Sequence, residues 1–524
     1  MAKDSRTNDE LREAKRAKKA EKKRAELKAK KKASRANVLT VVAIVVLFAL
    51  AIGLVGLKAV INSGVIERHT TVMSTDNHSI STSILTYFFN ANYRSEGSSY
   101  VSYGLIDSSK SLRDQYISDG YSWFDYMMVQ AENEVGSYLI MAEGAKAAGI
   151  ELDEHDLEVI DEYIDSIKEA AATYGYANTN SFIKANYGVA VNLKDVRAAM
   201  ELAQLAAKYQ ETMTDKYIES YTSADYDKQY ADNKNNYNYV DYYSFTFTAE
   251  KGEGDKMTDE TKAAAKALAE ELKATGDVDG FKAYVEEYLT NKAQDELKEN
   301  ETLNKSDIVD AMNKLESTHV SYSTLNSASA DIAKWAFESA SAGDIKENYD
   351  ETNGTYTVYL LEKAPYRDEY TTHNGAYIFL SNSANTDAAG AAAKADEIIA
   401  EWESGDKTEE AFLELVRKYS EAGHDHIEEN IKKDLAYSDW FYATDRKAGD
   451  VDKVVSSDDK GVYIVYYAGQ SELTAWQADA QADLAAADFN AHYTELAGTY
   501  YVTINDEKAA RVIPVTINVS TSAS

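Results

Sequence analysis

Two stretches of this chain read alike, and a chain that repeats a unit must fold that unit twice. The first copy opens with Tyr242-Tyr243-Ser244-Phe245-Thr246-Phe247, the second with Ala376-Tyr377-Ile378-Phe379-Leu380, both strand-like runs. A helix-forming stretch follows each: AAAKALAEELKATGDVDGFKAYVEEY from Ala263 and AAAKADEIIAEWESGDKTEEAFLELVRKY from Ala391. The copies then reach Trp335-Ala336-Phe337 before Ala342-Gly343-Asp344, and Trp440-Phe441-Tyr442 before Ala448-Gly449-Asp450. Each closes on an alternating strand, TYTVYLLEK from Thr355 and VYIVYYAGQ from Val462. The unit is strand, helices, strand. Two α+β modules are expected, at residues 237–365 and 366–471.

The chain before the repeat has a different period. Trp123 to Ala148 is apolar-rich and ends near Gly149. Asp153 suits the N-cap of a next helix, in which Leu157, Ile160, Ile164, Ile167 and Ala171 alternate by three and four. Gly175 closes it. A short helix around Phe182 ends at Gly188, and another carries Leu193, Val196, Met200 and Ala203. A helical domain is expected over residues 72–235. Its end, YTSADYDKQYADNKNNYNYV, reads as a short helix and a linker. The last segment, 472–524, reads as a helix over 474–496, two short strand-like runs near Tyr501 and Val512, and a tail.

Val38 to Leu57 is a run of twenty residues without a charge. As a helix it would span about 30 Å, the thickness of a bilayer's hydrocarbon core. Residues 1–35 hold 15 Lys+Arg against 6 Asp+Glu, and basic residues beside a span stay on the cytoplasmic side. The run is longer than a usual signal-peptide core, which favours an uncleaved anchor. The expectation is a basic cytoplasmic tail at 1–36 and a transmembrane anchor at 37–60. The location expected is then the cell membrane, single-pass, with the N-terminus cytoplasmic and the C-terminal domains extracytoplasmic.

The net charge is −33, which argues against a nucleic-acid partner and favours solubility. There is no Cys, hence no disulfide and no lipid-bearing cysteine. Tyr is abundant, at 39 residues, and its excess reads mainly as strand composition.

These residues resemble a known family, the extracytoplasmic foldases of the SurA/PrsA type, which pair a helical chaperone domain with parvulin modules. AAGIELDEHDLEVIDEYIDSI through YGVAVNLKDV is similar to the chaperone domain. The clearest likeness to a parvulin module is DWFYATDRKAGDV followed by GVYIVYY. The fold class implied is multidomain α+β: an N-terminal transmembrane helix, a helical chaperone domain and two tandem parvulin-like modules. The resemblance implies a membrane-anchored folding factor whose partners are unfolded or exported polypeptides. Alternatives are an active parvulin-type peptidyl-prolyl isomerase and a non-chaperone envelope scaffold.

Prolyl isomerisation lowers an amide rotation barrier of about 18–20 kcal/mol. Parvulins do so with an apolar proline pocket and a polar cluster that includes two His on adjacent strands. The resemblance puts the first His position at Tyr377 and Tyr243, and the second at Tyr463 and Tyr356. All four are Tyr, and EENIKKDLAYSDW replaces the glycine pair that precedes the pocket. The modules are therefore expected to be weak or inactive as enzymes. Trp440, Phe441, Trp335 and Phe337 are the expected substrate-binding residues. His373 precedes Tyr377 by four positions and reads as a surface residue. His424-Asp425-His426 offers two metal ligands without a third at fixed spacing, so neither metal nor cofactor is expected.

Overall fold

The computed structural model describes residues 64–517 apart from 253–255, 298–302, 422–425, 444 and 457–458. The expected tail at 1–36 and anchor at 37–60 lie outside the described residues. Among the described residues no helix is long and apolar enough to cross a membrane. The longest helices carry charge along their length, as Glu132, Glu134, Glu143 and Lys146 do in Trp123–Ala148. The fold class is corrected accordingly to mixed α+β, with no membrane-spanning helix among the described residues. The single-pass cell-membrane location drawn from that helix is corrected with it.

The chain forms two compact units. The first combines residues up to Glu219 with those from Ala486 onward. After a short helix at Val65–Arg68 comes the antiparallel pair β1 (Thr71–Ser74) and β2 (Ser79–Ser81). The longer helices that follow are α1 Thr82–Ser95, α2 Trp123–Ala148, α3 Glu154–Thr173, α4 Thr179–Tyr187 and α5 Leu193–Ile218, with a short helical turn at Gly97–Ser102 between the first two. Three start on reciprocal caps in which a polar side chain and an Asp three residues on satisfy each other's free N–H groups. These are Ser122 with Asp125, Asp153 with Asp156, and Asn192 with Asp195. Gly149 closes α2 in the left-handed conformation. The inner face of α3 buries Ile160, Ile164, Ile167 and Ala171, whereas Leu157, in its first turn, is 39 % exposed.

The core of this unit joins Leu85, Phe88, Phe89, Met127, Val135, Ile164 and Val196. It is completed from the far end of the chain by Val512 and Ile517. Thr503–Ile504 pairs antiparallel with β1, and the Asn90 side chain bonds the backbone of both Ile513 and Val515. Of the two strand-like runs expected here, the first pairs over two residues near Tyr501, and the stretch around Val512 is irregular.

The second unit is Ser220–Ala485 and holds two four-stranded antiparallel sheets. In the first, β3 (Asn238–Thr248) leads to helices α6 (Asp259–Lys273) and α7 (Val278–Asp295). Then come β4 (Glu316–Ser321), helices α8 (Tyr322–Ala328) and α9 (Ala330–Glu338), β5 (Ile345–Asp350) and β6 (Thr355–Arg367). In the second, β7 (Thr371–Ser381) leads to α10 (Ala388–Ser404) and α11 (Glu409–Tyr419). It continues with β8 (Glu428–Ile431), a 3-10 turn at Ser438–Trp440, β9 (Val451–Val455) and β10 (Gly461–Thr474). The spatial orders, β4-β3-β6-β5 and β8-β7-β10-β9, are the same topology used twice. The stretch before β3, expected as helix and linker, is the helices Ser223–Asp232 and Lys234–Tyr237 running directly into the strand. A long helix, α12 (Ala475–Thr499), has residues in both units.

Each sheet has two apolar faces. In the second, Ala376, Ile378, Leu380, Val462, Ile464 and Tyr466 pack under α10 and α11. The opposite face carries the aromatic cluster described next. Side chains alternate along a strand, so a step of one residue moves a side chain from one face to the other.

Candidate functional site

On the outer face of the second sheet β7 presents His373, Gly375, Tyr377 and Phe379, and β10 presents Tyr463, Val465 and Tyr467. Tyr377 lies opposite Val465 and Tyr463 opposite Phe379, which makes the two expected tyrosines diagonal neighbours. Their ring centroids are 5.4 Å apart. Tyr437, from the loop after β8, completes a triangle at 4.8 Å from each. Phe379 extends the strip, 4.8 Å from Tyr463. Tyr377, Tyr463 and Phe379 are half-buried, and Tyr437 is buried.

Hydrogen bonds and burial set the character of this cluster. The Tyr437 hydroxyl donates to Glu428 Oε2 at 2.7 Å. Burial, and then that carboxylate, push its pKa well above the ordinary phenol value. Burial likewise pushes Tyr377 up to about 12, with the Glu428 and Tyr463 charges adding to it. Both hydroxyls are therefore neutral across the physiological range, able to donate hydrogen bonds but not to act as bases. His373 lies on the same face, its Nδ1 3.0 Å from the Tyr467 hydroxyl. Burial first, and then the Lys433 charge, hold its pKa below the ordinary histidine value, so the imidazole is neutral at pH 7. It is half-buried against the Tyr442 ring rather than a free surface residue.

The two expected substrate-binding aromatics of this module are interior. Phe441 is 1 % exposed and Trp440 8 %. Phe441 lies over Gly375, where an added Cβ would come within 2.3 Å of its ring and 2.4 Å of the Tyr466 carbonyl. Glycine at 375 is what lets the ring sit on the strand. Trp440 donates its Nε1–H to Asp452 at 3.1 Å under the Arg446 guanidinium. What this face offers a ligand is the half-buried strip Phe379, Tyr463 and Tyr377.

The first sheet places its residues differently. Tyr243 and Tyr356 are buried beneath α6 and α7, on the opposite side of the sheet from Trp335 and Phe337. Their hydroxyls meet charged neighbours: Lys282 donates to Tyr243 at 3.1 Å, and Tyr356 donates to Glu351 at 3.0 Å. The tyrosines that share a face with Trp335 and Phe337 are Tyr242 and Tyr359, 5.5 Å apart and edge-to-face. Register explains the exchange. Tyr242 lies opposite Leu361, and Ser244 opposite Tyr359, the same diagonal that joins Tyr377 and Tyr463. Ser244, Thr246 and Thr357 make this face more polar than the second sheet's, the two threonine hydroxyls bonding each other at 2.8 Å. Tyr242, Tyr359 and Tyr437 are the members that sequence reading misses. The pairing of β3 with β6, not the sequence of either strand alone, places the first two.

The helical unit holds a cavity of about 500 Å³ between α2, α3 and α5. Tyr138, Met141, Ile160, Tyr163 and Met200 form its wall, with Gln204 among its polar residues. Val159, in the same lining, is 39 % exposed. A groove of flexible thioethers and rings accepts apolar side chains of many shapes.

Among the described residues no group of three or more His, Cys, Asp or Glu is placed to hold a metal ion. His424 and Asp425 lie outside the described residues. Set against known protein-family models and curated proteins, this chain matches none of them.

Proposed function

We propose that this protein is a folding factor that binds unfolded polypeptide, and that its two sheet modules bind peptide weakly without efficient prolyl isomerisation. The observation that carries the reading is the apolar groove of the helical unit, whose Met141, Met200, Tyr138 and Tyr163 suit varied apolar side chains. The strip Phe379, Tyr463 and Tyr377 adds a second, aromatic contact to the same kind of partner. Two weak contacts on one extended chain reinforce each other through effective concentration. The net charge of −33 keeps the complex with an aggregation-prone partner soluble. The neutral hydroxyls and mutually packed rings of Tyr377 and Tyr437, with the buried Phe441, favour contact over catalysis.

The test is suppression of aggregation of a denatured model substrate by excess purified protein, with Met200→Glu placing a charge in the groove. Suppression by the parent chain that falls several-fold in the variant is expected; no suppression by the parent sinks the reading. A proline-peptide assay run alongside is expected to show little acceleration. Strong acceleration abolished by Tyr377→Phe with Tyr463→Phe would replace the reading with that of an isomerase.

A further inference from the structure

A second cavity of the helical unit, about 500 Å³, lies between residues 108–113 and the returning segment 510–516. Its charge is opposite to that of the chain. Asp and Glu number 88 against 55 Lys and Arg, yet this cavity is lined by Lys110, Arg113 and Arg511 and by no carboxylate. Arg113 donates to the carbonyls of Ala510 and Val512, both at 2.9 Å, and its guanidinium lies over Phe124. It is thereby fixed in place as a positive wall. Lys110 pairs with Asp107 at 2.9 Å, just outside the lining. Arg511 is exposed, and no carboxylate partners it among the described residues. Ser108, Ser109 and Ser111 add hydroxyls. Ser109 donates to Asp107 and Ser111 accepts from the Arg113 amide, while Ser108 is half-buried with its hydroxyl unengaged among the described residues.

The Arg511 guanidinium fork on one wall and the Ser108 hydroxyl on the other, both in the lining of the same cavity, suit an oxyanion with more oxygens than a carboxylate has. The volume is far above the roughly 30 Å³ that one water molecule occupies, leaving room for more than a bare ion. We propose that this cleft binds a phosphate group carried by a small organic molecule. Arg511 and Ser108 supply the direct donors, and Arg113 and Lys110 the surrounding positive charge.

Isothermal titration of the full chain at low salt tests this with glycerol 3-phosphate, inorganic phosphate, glycerol and acetate. Saturable binding of glycerol 3-phosphate, tighter than that of inorganic phosphate and absent with glycerol and acetate, is expected. Arg511→Gln should weaken it about ten-fold or more, and Ser108→Ala by less, with the melting temperature unchanged. The proposal is overturned if glycerol 3-phosphate does not bind up to about 10 mM. It is equally overturned if acetate or inorganic phosphate binds as tightly, or if Arg511→Gln binds like the parent.

Discussion

Glu143 lies towards the C-terminal end of α2, 1 % exposed, where a carboxylate is costly unless it is fully bonded. It accepts from the Thr75 hydroxyl, the Asn77 amide N–H and the Asn77 side chain, each at 2.7 Å. Burial alone would raise its pKa. The bonds from Asn77 and Thr75, aided by the His78 charge, outweigh burial and leave it below the ordinary value of 4.5. A carboxyl depressed on folding stabilises the fold above its unfolded value, and that contribution is lost as pH falls through the folded one. Glu143→Gln is therefore expected to lower stability near neutral pH by about 1–3 kcal/mol. It should also flatten the loss of stability below about pH 4.5, measured by urea unfolding at a series of pH values. None of this is legible along the sequence. Glu143 reads as one more charge in a long helix, because its partners sit 66 to 68 residues earlier. Asp153, by contrast, is legible as a cap because its partner is three residues away.

Helices and strands differ in what the sequence discloses. The three-and-four spacing of α3 names its buried face directly, and only Leu157, in the first turn, departs from it. A strand's face depends on counting by two, and β3 breaks the count with register shifts around Asp241. Adjacent tyrosines at 242 and 243 then look interchangeable, and only the pairing with β6 tells which one shares a face with Trp335. The consequence is measurable. Tyr356, 1 % exposed beneath the helices, should cost about 3–5 kcal/mol when replaced by Ala, as large aromatic core truncations do. Tyr359→Ala, half-buried on the other face, should cost clearly less. Equal losses in chemical denaturation would contradict the assignment of faces. In the second sheet Tyr377 and Tyr463 are legible as a pair because no such shift falls between them. Tyr437 is not, since it enters from a loop.

At the scale of the molecule the repeat is legible because each copy is locally ordered, strand to helices to strand, within about a hundred residues. The division into two units is less so, since the first is assembled from both ends of the chain. Calorimetry should resolve two transitions, one for each compact unit. Glu143→Gln should lower one of them and Tyr356→Ala the other; a single transition moved by both would mean that the units melt together.

The interrupted first unit also carries a consequence for how the protein is made. The hydrogen bond from Val515 to Asn90 spans 425 residues. Its core waits for Val512 and Ile517. A chain emerging from the ribosome N-terminus first therefore begins the helical unit, completes the whole of the repeat, and only afterwards supplies the strand and anchors that finish what it began. The part started first is the part finished last. During that interval its unfinished apolar interior is the chain's own most exposed liability, in a protein whose proposed work is to shelter such surfaces on others.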